Sequence, residues 1–189
     1  MKFKILILSI ALSTSTMAAD YKIDIEGMHA SIQFKISHLG TSWLRGRFDK
    51  FDGNFSYNPK KPNDSKISMA VDVSSINSNH AERDKHLRAK SLLNTTKYPK
   101  ATFNSESFDL NADSTGTVTG KFTLRGIEKI VTMEIKKVGE GRDPWGGYRV
   151  GFEGAMNITL ADYGITKYLG KSSKTLELTV EFEGIKQRK

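Results

Sequence analysis

The sequence predicts an all-β domain of about eight to ten antiparallel strands with one short polar helix. Three observations lead there. Runs in which apolar and polar residues alternate, the period of a half-buried strand, recur along most of the chain. Turn-forming clusters such as Asn58-Pro59-Lys60-Lys61-Pro62-Asn63 separate them. One stretch alone, from Ser78 to Phe103, departs from the pattern, so there is no second helical layer to cover a sheet. Parallel strands need helical crossovers and are therefore excluded. An antiparallel meander whose apolar faces all point inward becomes a sandwich or closes into a barrel. A barrel of about eight strands is just wide enough to fill with side chains or to hold one slender ligand.

The chain opens with Lys2 and Lys4, an apolar run from Ile5 to Leu12, and then small polar residues. That order is the layout of a secretory signal peptide, and its apolar part is too short to span a bilayer. Cleavage after Ala18 puts Thr16 and Ala18 at the small-residue positions, so residues 1–18 are expected to be the signal and 19–189 one domain, acting in the periplasm. Removing the signal lowers the formal net charge from +8 to +6. The chain has no cysteine, which excludes thiol redox chemistry, cysteine nucleophiles and thiolate metal sites. Export also removes nucleic acid from the expected partners and leaves anionic membrane surfaces as the natural electrostatic ones.

In chain order, Tyr21–Ile25 and Ser31–Ile36 read as strands, with Ile32, Phe34 and Ile36 on one face. A connection through Trp43 follows. Phe48 then lies on even positions but Phe51, Phe55 and Tyr57 on odd ones, a change of parity that Asp52-Gly53 is suited to supply. Ile67, Met69, Val71 and Val73 share a face, as do Val118, Gly120, Phe122 and Leu124. Between these runs, Phe103 opens a strand that reaches Phe108. Arg125-Gly126 reads as a tight connection into Val131, Met133 and Ile135. Gly139–Gly147 is a loop by composition. Tyr148–Leu160 is the longest alternation, with Val150, Phe152 and Met156 inward, and the last strand turns Leu176, Leu178, Val180 and Phe182 the same way.

The exceptional stretch reads as a helix. Asn79 is a good N-cap with Glu82 three residues on, and Glu82–His86 and Asp84–Arg88 are i,i+4 pairs. Leu87, Leu92 and Leu93 would hold it to the fold, and Tyr98-Pro99 ends it. His80 and His86 stand six residues apart, on different sides of a helix, so they make no metal pair. The acids have Arg83, Lys85 and Arg88 beside them as ready ion partners, and Ser91 and Thr95–Thr96 lack a nucleophile setting. No catalytic residue, metal or cofactor is expected.

His29, His38-Leu39-Gly40, Gly46-x-Phe48-x-x-Phe51-x-Gly53 and Asn79-His80-x-x-Arg83-Asp84-x-His86-Leu87-Arg88 together resemble the YceI-like, polyisoprenoid-binding family. Tyr98-Pro99, Leu124-x-Gly126, Asp143-Pro144-Trp145-Gly146, Gly151-Phe152 and Asp162-Tyr163-Gly164-Ile165 extend the likeness over nearly the whole chain after residue 18. Ser91, Ile130 and Ala161 depart from it. The resemblance implies a lipocalin-like barrel that holds a long isoprenoid lipid, such as a polyisoprenoid or isoprenoid quinone, with the tail inside. It implies no catalytic residues and leaves a homodimer open.

On that reading the interior candidates are Phe34, Ile36, Phe48, Met69, Val71, Phe103, Phe122, Met133, Phe152, Gly154, Met156, Leu178 and Val180. Gly120 and Gly154, lacking side chains, would leave room between them. The mouth or head-group candidates are Trp43, His80, Arg83, Asp84, His86, Arg88 and Trp145. The Ser78–Tyr98 segment is the one connection expected to be large enough to cover a mouth. Its Arg83, Lys85 and Arg88 would attract an anionic head group or an anionic membrane surface.

Overall fold

The alternating runs become ladders of one continuous antiparallel sheet. The computed structural model describes residues 18–167 and 170–188, so the expected signal peptide lies outside the described residues but for Ala18. The strands are β1 (Ala19–Ile23), β2 (Ala30–His38), β3 (Ser42–Phe48), β4 (Phe51–Tyr57), β5 (Lys66–Asp72) and β6 (Ile76–Asn77). After the helix α1 (Ala81–Arg88) come β7 (Lys100–Leu110), β8 (Thr115–Leu124), β9 (Ile127–Arg142), β10 (Tyr148–Thr159) and β11 (Thr175–Lys186).

The first six strands are three long ones, each broken once. Both β1 and β2 pair with β11, through Ile23 opposite Gly184 and Ala30 opposite Phe182, so residues 24–29 form a bulge in one stave. Likewise β3 and β4 are interrupted at Asp49–Lys50, and β5 and β6 at a 3-10 turn of Val73–Ser75. Eight staves result, and the β1–β11 and β1–β4 pairings close them into a barrel. Closure leaves the inward faces as the core, from Ile23 and Ile32 round to Leu178 and Val180.

The parity change falls at Asp49–Lys50, not at Asp52-Gly53. There the chain leaves the ladder and the amides of Asp49 and Lys50 bond to Ser75, at its carbonyl and its Oγ. Gly53 instead sits inside β4, where a Cβ would meet Ile23 Cδ1 at 2.7 Å and the Ser68 carbonyl at 2.9 Å. Gly139 and Gly141 are strand, not loop: β9 runs on to Arg142, and the turn is confined to residues 143–147. Arg125 and Gly126, with φ of 51° and 73°, make the tight two-residue turn that the sequence suggests.

The helix also starts one residue later than the sequence suggests. His80 is the N-cap, extended at φ −157°, and its Nδ1 accepts from the Arg83 amide at 3.2 Å. Asn79 occupies the left-handed region at φ 60°, with its own amide bonded to Asn77 Oδ1 at 3.0 Å. An N-cap needs extended backbone, so Asn79 cannot serve. Beyond the pairing of Asp72 with Lys100, β5 and β7 part company, and α1 and the chain down to Pro99 fill the gap.

One polar cluster pins the bulge of residues 24–29. Asp24, buried, accepts from the Gly27 amide at 2.9 Å and from Arg149 at 2.5 Å, with His29 Nδ1 3.1 Å away. Arg149 also reaches Asp143 and Glu183, each at 3.0 Å. Burial alone would raise the Asp24 carboxyl, but the hydrogen bonds from Arg149, His29 and Gly27 outweigh it and hold the group down at about 2. A depressed carboxyl stabilises the fold fully above its ordinary value near 3.8 and loses that contribution as pH falls towards 2.

Two expectations follow for stability. Asp24→Asn should lower the urea-unfolding free energy by about 2 kcal/mol at pH 7, with the deficit shrinking as the pH is taken from 4 to 2. A deficit independent of pH would mean that the carboxylate charge is not what pins the bulge. His80→Ala should cost about 1 kcal/mol of a lost cap, while Asn79→Gly, which suits a positive φ, should stay within a few tenths.

Candidate functional site

Where the staves diverge around α1, the barrel interior is not filled. An apolar cavity of about 210 Å³ lies between Phe34, Ile36, Leu44, Phe48 and Ile76 on one side and Phe122, Leu124, Ile158 and Leu176 on the other. A smaller one of about 70 Å³ lies deeper, against Met69, Phe103, Met133, Met156 and Val180. Ile32, Val71, Ala101, Phe122 and Leu178 line both, so the two are stacked along the barrel axis. Strand parity dictates this wall: every second residue must face inward, and those positions carry aliphatic and aromatic side chains.

The two ends of the barrel are closed differently. Opposite α1, Phe55 stacks on Tyr21 at 4.9 Å and meets Phe152 edge-on at 5.8 Å. Tyr57, Phe108 and Phe182 pack around the same Phe152. Burial pushes the Tyr21 phenol up to about 12, helped by Tyr148 and Glu140 nearby. That end is an aromatic plug. At the helix end the cover is softer: Leu87, Leu92 and Leu93 form part of the cavity wall and are each half-buried.

All thirteen interior candidates from the sequence line one cavity or the other. The glycines do not leave room, however. A Cβ on Gly154 would lie 2.6 Å from Met133 Sδ, so Met133 already occupies that space. Gly120 lines neither cavity; its Cβ would strike the Asn104 carbonyl at 2.3 Å, where β7 bulges against β8. The room comes instead from small Ala101 and from the spreading of the staves at α1.

The mouth candidates divide. Trp145 stands in the 143–147 turn at the plugged end, exposed and near Arg149, and is no part of this mouth. Trp43 is at the helix end but on the outer wall, with Lys35 over its ring at 5.1 Å, because Leu44 takes the inward position. Asp84 is buried rather than solvated and accepts from the amide and hydroxyl of Ser78. Arg83 donates to the Ser78 hydroxyl and carbonyl. Arg88 donates to the carbonyls of Ser74 and Ile76, at 3.1 and 3.2 Å. The expected Asp84–Arg88 pair is therefore replaced by bonds from both to the chain before α1, whose freed backbone groups need partners. His80 caps the helix, and His86 is exposed.

The α1 segment is not the whole of the cover. The connection from β10 to β11, with 3-10 turns at Leu160–Tyr163 and Lys171–Ser173, also covers the mouth. It adds Leu160, Ile165, Lys167 and Ser173 to the cavity wall, and Tyr163 packs edge-on against Phe122 at 5.5 Å. Ile32, Ile158, Leu160 and Leu176 belong to alternations visible in the sequence; Ile165 follows a strand end and gave no such signal.

Chemically, the cavity offers a dry surface and little else. Its ionisable neighbours among the described residues are His38 and Lys167, both at the helix end. The strong shifts in acidity among the described residues lie far away, at Arg149, Tyr21 and Asp24 by the plugged end. Asp24, His29 and Glu183 there bring ligand-type atoms within 4.8 Å, but the Arg149 guanidinium already supplies the cation between Asp24 and Glu183. Among the described residues no helix is long and apolar enough to cross a membrane.

Comparison with known proteins agrees with the fold. The UPF0312 proteins of Pseudomonas aeruginosa PAO1 and Yersinia pestis Pestoides F are each 52% identical over 171 residues. The alignments cover 90% of this chain and 89% and 88% of theirs. Burkholderia cenocepacia BcnA superposes with a TM-score of 0.74 at 19% identity, over 85% of this chain and 98% of its own. A polyisoprenoid binding domain from Saccharophagus degradans, implicated in plant cell wall breakdown, gives 0.64 at 15%, over 90% and 100%. The YceI-like domain model matches residues 21–184. With a closed eight-stave barrel and that match across the described strands, the chain belongs to the YceI-like family.

Proposed function

We propose that this protein is a carrier or sequestering protein for an isoprenoid-type lipid, taking the apolar chain tail-first into the barrel and doing no chemistry on it. The observation that carries the reading is the dry cavity of about 210 Å³ beneath Leu87, Leu92 and Leu93. An unfilled apolar space costs dispersion contacts that a well-packed barrel would have kept, so the fold gains by filling it with a hydrocarbon. Each Å² of chain removed from water contributes roughly 25 cal/mol. The binding domain of Saccharophagus degradans, similar in fold, supports an isoprenoid as the class of chain. The signal-like start of the sequence supports action after export, in the periplasm.

Volume sets how the chain would sit. A cavity of about 150 Å³ takes one benzene, so the two spaces hold on the order of ten carbons. A long chain must then leave through the mouth, with its remaining length under or beyond the leucines of the α1 segment. The aromatic plug denies it the other exit. Catalysis has little to work with here: among the described residues the ionisable groups lining the larger cavity are His38 and Lys167, and the smaller adds Glu153, which is ion-paired with Lys136.

Solvent extraction of the purified protein followed by mass spectrometry tests this directly. A near-equimolar isoprenoid chain is expected. Ala101→Leu, at the neck shared by both cavities, should cut recovery at least tenfold while the melting transition stays cooperative. Protein that carries no lipid, or a folded Ala101→Leu with undiminished recovery, sinks the proposal. Turnover of the head group would replace it with an enzymatic one.

A further inference from the structure

The positive charge of this protein is placed at one end. Four connections meet at the cavity mouth: residues 39–41, 73–99, 125–126 and, of the last, 160–167 and 170–174. They touch in sequence round the rim. Leu39 lies 3.9 Å from the Cβ position of Gly170, Arg125 donates to the carbonyls of Tyr163 and Gly164, and it reaches the Lys90 carbonyl at 3.4 Å. Together these connections carry nine Lys and Arg against three acids. The connections at the plugged end, residues 58–65, 111–114 and 143–147, carry two Lys against three acids, and Arg188 beside them only restores neutrality.

The arginines of the rim are already committed to carbonyls, as described for Arg83, Arg88 and Arg125. The lysines are not. Lys90, Lys97, Lys171 and Lys174 are exposed and make no ion pair among the described residues, Lys97 lying over the Tyr98 ring at 5.1 Å. Apolar side chains are exposed between them: Leu39 at 58% and Ile127 at 37% on the rim, with Trp43 and Ile130 just below it on the outer wall. Exposed apolar groups interleaved with ammonium groups free of ion pairs, encircling the softly covered end of an apolar cavity, match a bilayer surface in both its charge and its interior.

We infer that this rim, rather than the cations of α1 alone, is a docking surface for anionic phospholipid. The lysines would sit among the phosphates, and Leu39 and Ile127 would enter the acyl boundary. The inference rests on the cavity holding a lipid, since that is what makes a membrane the partner to which the mouth must open. It also gives the exposed leucine and isoleucine a reason that packing does not.

Flotation with vesicles tests it: phosphatidylcholine alone against phosphatidylcholine with roughly a third phosphatidylglycerol. The parent should float with the anionic vesicles at low salt and much less at 0.1 M and above, where surface attraction is screened within about 10 Å. Exchanging Lys90, Lys171 and Lys174 for glutamine should weaken partitioning on the order of a hundredfold. Exchanging Lys60, Lys61 and Arg188 should leave it unchanged. Leu39→Asn, tolerated at its φ of 57°, should cause a further loss of several-fold that persists in salt.

Solvent extraction of the same variants, purified without vesicles, separates the two readings. Docking lost with cargo retained identifies the rim as the surface and leaves the cavity reading standing. Rim-dependent docking of an empty protein supports the surface and removes the cargo. A parent that ignores anionic vesicles, or equal losses in the two triple variants, overturns the inference.

Discussion

Closure of the sheet between β1 and β11 is the constraint on which the rest depends. Once eight staves form a ring, little sheet edge is left, notably at β6 where α1 stands, and the interior has a set width. What fills that width then decides what the molecule can do. Aromatic rings fill one end completely. Towards the other, aliphatic side chains of the same strands face each other across a gap, because α1 and its flanks stand where β6 and β7 would otherwise pair.

The closing seam is also where burial of charge is concentrated. Residues 24–29 cannot join the ladder, and their backbone groups need other partners. Asp24 provides them, and Arg149 offsets its charge while drawing in Asp143 and Glu183 from two other segments. A buried carboxylate with several hydrogen bonds and a guanidinium is a costly device that holds one geometry. Here that geometry is the joint between the first stave and the last. A similar economy operates at α1, where Arg83, Asp84 and Arg88 turn back to the chain before the helix.

Much of the barrel was legible from period alone. Met69, Val71, Phe122, Met156, Leu178 and Val180 sit on one parity of their strands, and the structure puts every one of them on a cavity wall. Local signals were weaker guides where two mechanisms compete. Asn79 has the side chain of a cap, yet it also tolerates positive φ better than most residues, and that second property won. Gly120 and Gly154 looked like gaps, but glycine as often marks close approach, by a backbone at one site and by a methionine at the other. Trp145 was unplaceable without topology: which end a turn occupies depends on counting the strands correctly, and the continuation of β9 through Gly139 and Gly141 was hidden by composition. The share of the mouth taken by Ile165, beyond the strand end, carried no periodic signal at all.

The aromatic plug makes the barrel a blind tube rather than a passage. Anything drawn into it must come out by the route it took in, with the first atoms to enter being the last to leave. A molecule with one oily end and one polar end would therefore be held in a single sense, its polar end always towards the opening and never reversed in transit. A tube of this kind cannot relay cargo through itself from one surface to another lying opposite. A carrier of the proposed kind would have to present the same face twice, once to load and once to unload, tumbling as a whole between the two encounters.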